Sequence, residues 1–205
     1  MRRPLIRRHA ANALTLLRVL LVGPFLLALA GTAGTPGWLA APLFAMIAAS
    51  DVLDGRLARA LDTTSPLGRA FDHAADITFI LTALGAYARR GDLPWAAPAA
   101  VAVAFAVYVV DSWFGRPRSS TTPSAANWLG HLGGVCNYVV VGILVGNETV
   151  GLHLLPSRLV YALGAGVTFY SLAAILTRSL AVLERPIRTA TARRAEDQPR
   201  PAALE

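Results

Sequence analysis

The stretch that decides the fold is DVLDGRLARALDTTSPLGRAFDHAAD, residues 51–76. It carries the spacing D-x2-D-G-x2-A-R-x8-G-x3-D-x3-D, formed by Asp51, Asp54, Gly55, Ala58, Arg59, Gly68, Asp72 and Asp76. Apolar sequence flanks this stretch on both sides. Carboxylates within membrane helices are costly, and they usually serve a metal, a substrate or an ion pathway. The stretch therefore predicts a functional site in a membrane protein.

Composition indicates a bilayer protein rather than a soluble domain. Of the 205 residues, 55% are hydrophobic and only 15% are charged, and the mean hydropathy is +0.50. The net charge of +7 is better explained by the membrane topology than by a nucleic acid, so nucleic acid is not expected as a partner. The basic start MRRPLIRRHAAN precedes an apolar run of spanning length, which predicts a retained helix rather than a cleaved signal. A single cysteine, Cys136, excludes an internal disulfide.

Apolar runs of about 20 residues, separated by Gly, Pro and charges, predict six transmembrane helices. Their expected ranges are 12–31, 37–61, 66–89, 94–114, 125–147 and 156–182. The fold class is thus expected to be all-α and polytopic, with a short N-terminal amphipathic helix lying on an anionic lipid surface. Residues 1–183 are expected to form the membrane domain, and residues 184–205 a disordered cytoplasmic tail.

The arginines predict the orientation of this bundle. With six alternating helices, those at positions 2, 3, 7, 8, 56, 59, 69, 116, 118, 185, 188, 193 and 194 fall on one side. Only Arg89, Arg90 and Arg158 fall on the other. The positive-inside rule makes the first side cytoplasmic. We therefore predict an inner-membrane protein with both termini and the aspartates facing the cytoplasm.

Two helical stripes carry the aspartates. Residues three, four and seven apart share a helical face. One stripe holds Asp51, Asp54, Gly55 and Ala58, and the other holds Gly68, Asp72 and Asp76. The turn between the helices ends in Ser65, a capping residue type, and Pro66. Facing carboxylates repel one another, and a hard cation such as Mg²⁺ or Mn²⁺ relieves that repulsion and can bind phosphate oxygens.

The spacing resembles the signature of the CDP-alcohol phosphotransferase family with no position missing. Residues 12–24, NALTLLRVLLVGP, also resemble the family's first helix through Asn12, Thr15, Arg18 and Pro24. Asn12 and Thr15 either cap this helix or reach the diphosphate, and Arg18 either snorkels or meets a phosphate.

The resemblance implies roles for the aspartates and their neighbours. It implies that Asp51, Asp54 and Asp72 hold Mg²⁺ or Mn²⁺, and that Asp76, a fourth candidate metal ligand, acts as the general base. It places Gly55, Ala58, Arg59, Ser65 and Gly68 around the CDP group. It also implies a homodimer that transfers a phosphatidyl group from CDP-diacylglycerol to an alcohol and releases CMP.

The acceptor alcohol is less constrained. Chain length and the six-helix plan resemble the branch of the family that uses glycerol 3-phosphate, and this resemblance favours that acceptor. Arg116, Arg118 and Arg178 are candidates for its phosphate, the alternative being that they are ordinary membrane anchors. His73 and Ile77 replace the Pro and Lys common in the glycerol 3-phosphate branch, so inositol phosphate, phosphatidylglycerol and serine stay open. The ring of His73 is expected to pack on another helix. A non-catalytic scaffold would be expected to lack a signature carboxylate, and a transporter would spread its polar groups through the bilayer.

Overall fold

In the computed structural model, the chain is described over residues 3–31, 36–60, 66–114, 125–149 and 155–196. Its side chains are described over 13–31, 36–57, 60, 68, 70–111, 133–149 and 155–180. In these ranges there are helices and no strands, which confirms the predicted all-α class. The helices are α1 (Arg3–Ala30), α2 (Ala40–Ala60), α3 (Pro66–Arg89), α4 (Ala96–Phe114), α5 (Ala125–Thr149) and α6 (Ser157–Glu196), and a 3₁₀ turn (Gly37–Leu39) precedes α2.

Two expectations about the ends need correction. The basic N-terminal segment is not a separate amphipathic helix, because α1 runs unbroken from Arg3 into the apolar run. The segment 184–196, expected to be disordered, is the last part of α6. Its Ala, Arg and Glu residues are good helix formers, so a segment without an apolar period can still be helical. Residues 197–205 of the predicted tail lie outside the described residues.

Three helical segments in the described part of the chain are long and apolar enough to cross a membrane. They are Ala13–Ala30, Gly37–Leu57 and Ser157–Leu180, and a shorter apolar stretch covers Ala96–Asp111. Helix α3 is not among these apolar segments, and it carries the charged residues Asp72, Asp76 and Arg89. The count of six spans stays a prediction.

Aromatic packing places α3 at the centre of the bundle. The ring of Phe79, fully buried on α3, lies 5.3 Å from Phe25 of α1, 5.5 Å from Tyr138 of α5 and 6.1 Å from Phe44 of α2. Edge-to-face and tilted ring pairs at these distances are favourable beyond the burial of their area. Helix α3 therefore meets α1, α2 and α5, and α4 packs mainly on α6.

A polar clamp joins the helix ends farthest from the aspartates. Arg90, directly after α3, donates through Nη1 to Glu148 Oε1 at 2.6 Å and to the carbonyl oxygen of Leu29 at 3.3 Å. Its Nε lies 3.0 Å from Asp92 Oδ2. One side chain thus ties the ends of α1, α3 and α5 together.

Candidate active site

The four signature aspartates surround the side chain of Arg18, which is fully buried. Its Nη2 lies 3.0 Å from Asp51 Oδ1 and 2.6 Å from Asp54 Oδ2. Its Nη1 lies 2.9 Å from Asp72 Oδ1 and also contacts Asp76 Oδ1. We call Asp51, Asp54, Asp72 and Asp76 the carboxylate cluster. The two predicted stripes therefore do face each other, and a planar guanidinium lies between them.

Helix α1 supplies hydrogen-bond donors to acids on two other helices. Thr15 and Arg18 are one turn apart and both are buried. Thr15 Oγ1 donates to Asp54 Oδ2 at 3.3 Å. Asp54 is itself only 5% exposed and receives both donors, so it is the most enclosed member of the cluster. Buried carboxylates need such donors, because water is not there to solvate them.

Tyr138 of α5 is a site residue that sequence reasoning missed. Its hydroxyl donates to Asp76 Oδ1 at 2.9 Å, and its ring packs on Phe79. The contacts of Arg18 with the four aspartates were not predicted either. The sequence indicated that Arg18 snorkels to the membrane surface or binds a phosphate. The spacing of the signature carries no information about a contact with a residue 62 positions away. The one available signal was a polar Asn137–Tyr138 pair within an apolar helix.

The residues present fit a divalent cation. Arg18 contributes one positive charge against four carboxylates. One oxygen from each of Asp51, Asp54 and Asp72 lies within 4.8 Å of the others, close enough to share an ion. Hard carboxylate oxygens are the ligands that Mg²⁺ and Mn²⁺ prefer. Asp72 and Asp76 form a second group of this kind, with His73 as its third member.

The other predicted site residues divide into two groups. Gly55 follows Asp54 on α2, and Gly68 lies in the first turn of α3, so both glycines are near the ends of the helices that carry the cluster. Ala58 and Arg59 lie on α2, but their side chains are outside the described residues, and so are Ser65, Arg116 and Arg118 altogether. Their predicted roles stay predictions.

Arg178 lies on α6 and packs against α4. It is 5% exposed, and its Nη1 lies 3.6 Å from Asp111 Oδ2. Its guanidinium carbon lies 4.8 Å from the centre of the Tyr108 ring, within range of a cation–π interaction. The same ring meets His73 edge-on at 5.9 Å, as expected for a histidine packed on another helix. Two side-chain contacts therefore connect Arg178 to the α3 residue next to Asp72.

Comparison with known proteins agrees with this geometry. The model of the CDP-alcohol phosphatidyltransferase family matches residues 8–177, so the chain belongs to that family. It is similar to a probable phosphatidylglycerophosphate synthase of Mycobacterium tuberculosis, with 41% identity over 90 residues, 42% of this chain and 43% of the relative. It is also similar to a CDP-diacylglycerol--glycerol-3-phosphate 3-phosphatidyltransferase of Pseudomonas fluorescens, with 38% identity over 93 residues, 45% of this chain and 48% of the relative. The matched stretch is thus less than half of either relative.

Proposed function

We propose that this protein transfers the phosphatidyl group of CDP-diacylglycerol to glycerol 3-phosphate and releases CMP. The observation that carries the proposal is the carboxylate cluster, assembled from two helices around Arg18 in a chain that belongs to the CDP-alcohol phosphatidyltransferase family. The names of the two relatives support glycerol 3-phosphate as the acceptor.

Asp76 is the general base of the proposed reaction. Its Oδ1 accepts hydrogen bonds from Arg18 and Tyr138, which fix the direction of the carboxylate. It takes the proton of the acceptor hydroxyl, and the resulting oxygen forms a bond to the phosphatidyl phosphorus. The bond from that phosphorus to the bridging oxygen of the diphosphate breaks, and CMP leaves with the electron pair. A divalent cation held by Asp51, Asp54 and Asp72 would polarise the diphosphate and stabilise the charge that develops on it.

The acceptor carries a phosphate in this proposal. Arg18 and Arg178 are the buried arginines in the described part of the chain, and Arg18 is taken up by the cluster. Arg178 is thus the favoured partner for the acceptor phosphate, with Arg116 and Arg118 as further candidates. Inositol phosphate is the second candidate acceptor, because His73, which packs on Tyr108, stands where the glycerol 3-phosphate branch commonly has proline.

The remaining parts of the proposal concern the membrane, the metal and the assembly, and the arginine bias supports the orientation in the membrane. The protein is a multi-pass inner-membrane enzyme that uses Mg²⁺ or Mn²⁺. Its site and both termini face the cytoplasm, where CDP-linked and phosphorylated substrates are made. The assembly is a homodimer, as the family resemblance implies.

The test is CMP release by the purified protein in mixed micelles of detergent and CDP-diacylglycerol. Glycerol 3-phosphate, inositol phosphate, phosphatidylglycerol and serine are offered in parallel, each with Mg²⁺, Mn²⁺ or EDTA. We expect metal-dependent CMP with glycerol 3-phosphate, and loss of a general base in Asp76→Asn should lower kcat by about 10²- to 10⁴-fold. Asp92→Asn makes the same chemical change at the opposite end of the bundle and should retain activity.

Three results would contradict the proposal in different ways. Absence of CMP with every acceptor would reject the donor assignment and favour a scaffold. Flux of a ligand across vesicles without CMP would favour a transporter. Activity of Asp76→Asn within tenfold of the parent would leave the family reaction standing but assign the base to another residue.

A further inference from the structure

The contact between α4 and α6 contains a buried ion pair with an aromatic ring beside it. Arg178 and Asp111 are 5% and 7% exposed, and the Tyr108 ring lies 4.8 Å from the guanidinium carbon. Tyr108 and Asp111 are three residues apart on α4, so they lie on the same helical face. Helix α4 therefore presents both a charge and a flat ring to the same arginine.

These two contacts restrain the arginine in complementary ways. A guanidinium is planar, and packing against an aromatic ring limits the tilt of that plane. The carboxylate of Asp111, 3.6 Å from Nη1, limits rotation within the plane. An arginine held in this way loses less conformational entropy when it binds a phosphate than one that moves freely.

The position of this pair relates it to the chemistry. Tyr108 contacts His73 edge-on at 5.9 Å, and His73 follows Asp72 of the carboxylate cluster. The ring of Tyr108 therefore lies between the cluster and Arg178.

We propose that Tyr108 is a positioning residue, which orients Arg178 toward the anionic group of a phosphorylated alcohol acceptor. This inference rests on the proposed function. It assigns an acceptor role to α4, which carries no part of the signature.

The experiment is a double-mutant cycle between Tyr108 and Arg178, read as KM for glycerol 3-phosphate. Tyr108→Leu removes the ring without changing charge, and loss of a desolvated cation–π contact should raise this KM about tenfold. Tyr108→Phe keeps the ring, and its KM should stay within about threefold of the parent's.

Arg178→Gln should raise the KM for glycerol 3-phosphate more than Tyr108→Leu does. In that background Tyr108→Leu should add less than about twofold, because residues that act through one another are not additive. The KM for CDP-diacylglycerol should not change in any of them.

Phe169→Leu is the matched control, since Phe169 is an aromatic residue on α6 that is 78% exposed. A readout that does not need turnover is the rise in melting temperature caused by glycerol 3-phosphate. This rise should be present in the parent and in Phe169→Leu and absent in Arg178→Gln.

Additive effects of Tyr108→Leu and Arg178→Gln on the KM for glycerol 3-phosphate would overturn the inference while leaving the proposed function intact. Equal changes in the KM of donor and acceptor would do the same. A parent enzyme that uses only an uncharged alcohol would overturn it as well, whereas a parent that releases no CMP would first reject the proposed function.

Discussion

Replacing Arg18 with glutamine removes the one side chain, among those that the structure describes, that contacts all four members of the carboxylate cluster. Three of those acids are partly exposed, with side-chain exposures of 31% for Asp51, 30% for Asp72 and 22% for Asp76. Water and ions can solvate these three after the change. Asp54, at 5% exposure, would keep Thr15 as a donor but would lose its positive partner.

The loss of stability in Arg18→Gln depends on this difference in exposure between Asp54 and the other three acids. Removing one partner of a buried ion pair costs about 3–5 kcal/mol, because the other charge stays buried. The four contacts of one guanidinium are not four independent ion pairs, and among the four acids only Asp54 is enclosed. We therefore expect a loss of unfolding free energy at the lower end of this range, about 3 kcal/mol. For a chain of this length, about 2–4 °C per kcal/mol gives a fall in Tm of about 6–12 °C without metal.

The assay is thermal unfolding in detergent, followed by helical circular dichroism in EDTA and then in Mn²⁺. Arg56→Gln is the control, since Arg56 is exposed on α2 and its loss changes the net charge by the same amount. Mn²⁺ at a hundred times its Kd for Arg18→Gln should restore about 2.7 kcal/mol to that variant by supplying positive charge to the cluster. The same Mn²⁺ concentration should stabilise Arg56→Gln less, because Arg18 already supplies positive charge there. If Arg18→Gln melted within 2 °C of Arg56→Gln in EDTA, or if Mn²⁺ stabilised the two variants equally, the assigned role of Arg18 would be wrong.

Three further predictions concern single contacts. Tyr138→Phe removes a donor worth about 1.5–3 kcal/mol to a charged group, so kcat for CMP release should fall about 10- to 100-fold with the KM for donor unchanged; a kcat equal to the parent's would contradict this. Gly164→Ala places a Cβ 2.7 Å from a proline ring carbon of the α3–α4 turn and should lower stability by about 1–3 kcal/mol in thermal unfolding. Gly166→Ala has nothing within 4 Å and should be neutral, so equal melting of the two would refute the clash. Arg90→Gln breaks a half-exposed pair with Glu148 and should cost at most about 1 kcal/mol, less in high salt; a salt-independent loss would argue against an electrostatic origin.

The sequence predicted those parts of the structure that depend on local spacing. The bounds of α2 to α5 lie within about three residues of expectation, because apolar runs and their Gly, Pro and charged borders are local signals. The opposition of Asp51 and Asp54 to Asp72 and Asp76 was also predictable, since one short turn joins the two helices that carry them. The end of α6 was not, because helix propensity and tertiary packing are separate properties and only the second is visible as an apolar period.

Contacts between distant helices could not be predicted from the same signals. Arg18 reaches acids 33 to 58 positions away, and Tyr138 reaches Asp76 across 62. Each pair depends on which faces of α1, α3 and α5 meet, and the packing around Phe79 decides that. An isolated arginine or tyrosine in an apolar run has several plausible partners, and its sequence position does not choose among them.

The difference between local spacing and contacts between distant helices also explains why the reaction is easier to assign than the acceptor. The groups that act on the diphosphate lie on two helices joined by one turn, so their spacing is fixed along the chain and can be read as a signature. The groups suited to an acceptor phosphate lie on α4 and α6, and Arg178 meets Tyr108 across 70 residues of intervening chain. No fixed spacing joins those two helices, so a change of acceptor needs no change in the signature. His73 is where the two sets of residues touch, because it follows a signature aspartate and packs on Tyr108. Substitutions at His73 and Tyr108 are therefore expected to alter the choice of acceptor while leaving the binding of the CDP donor unchanged.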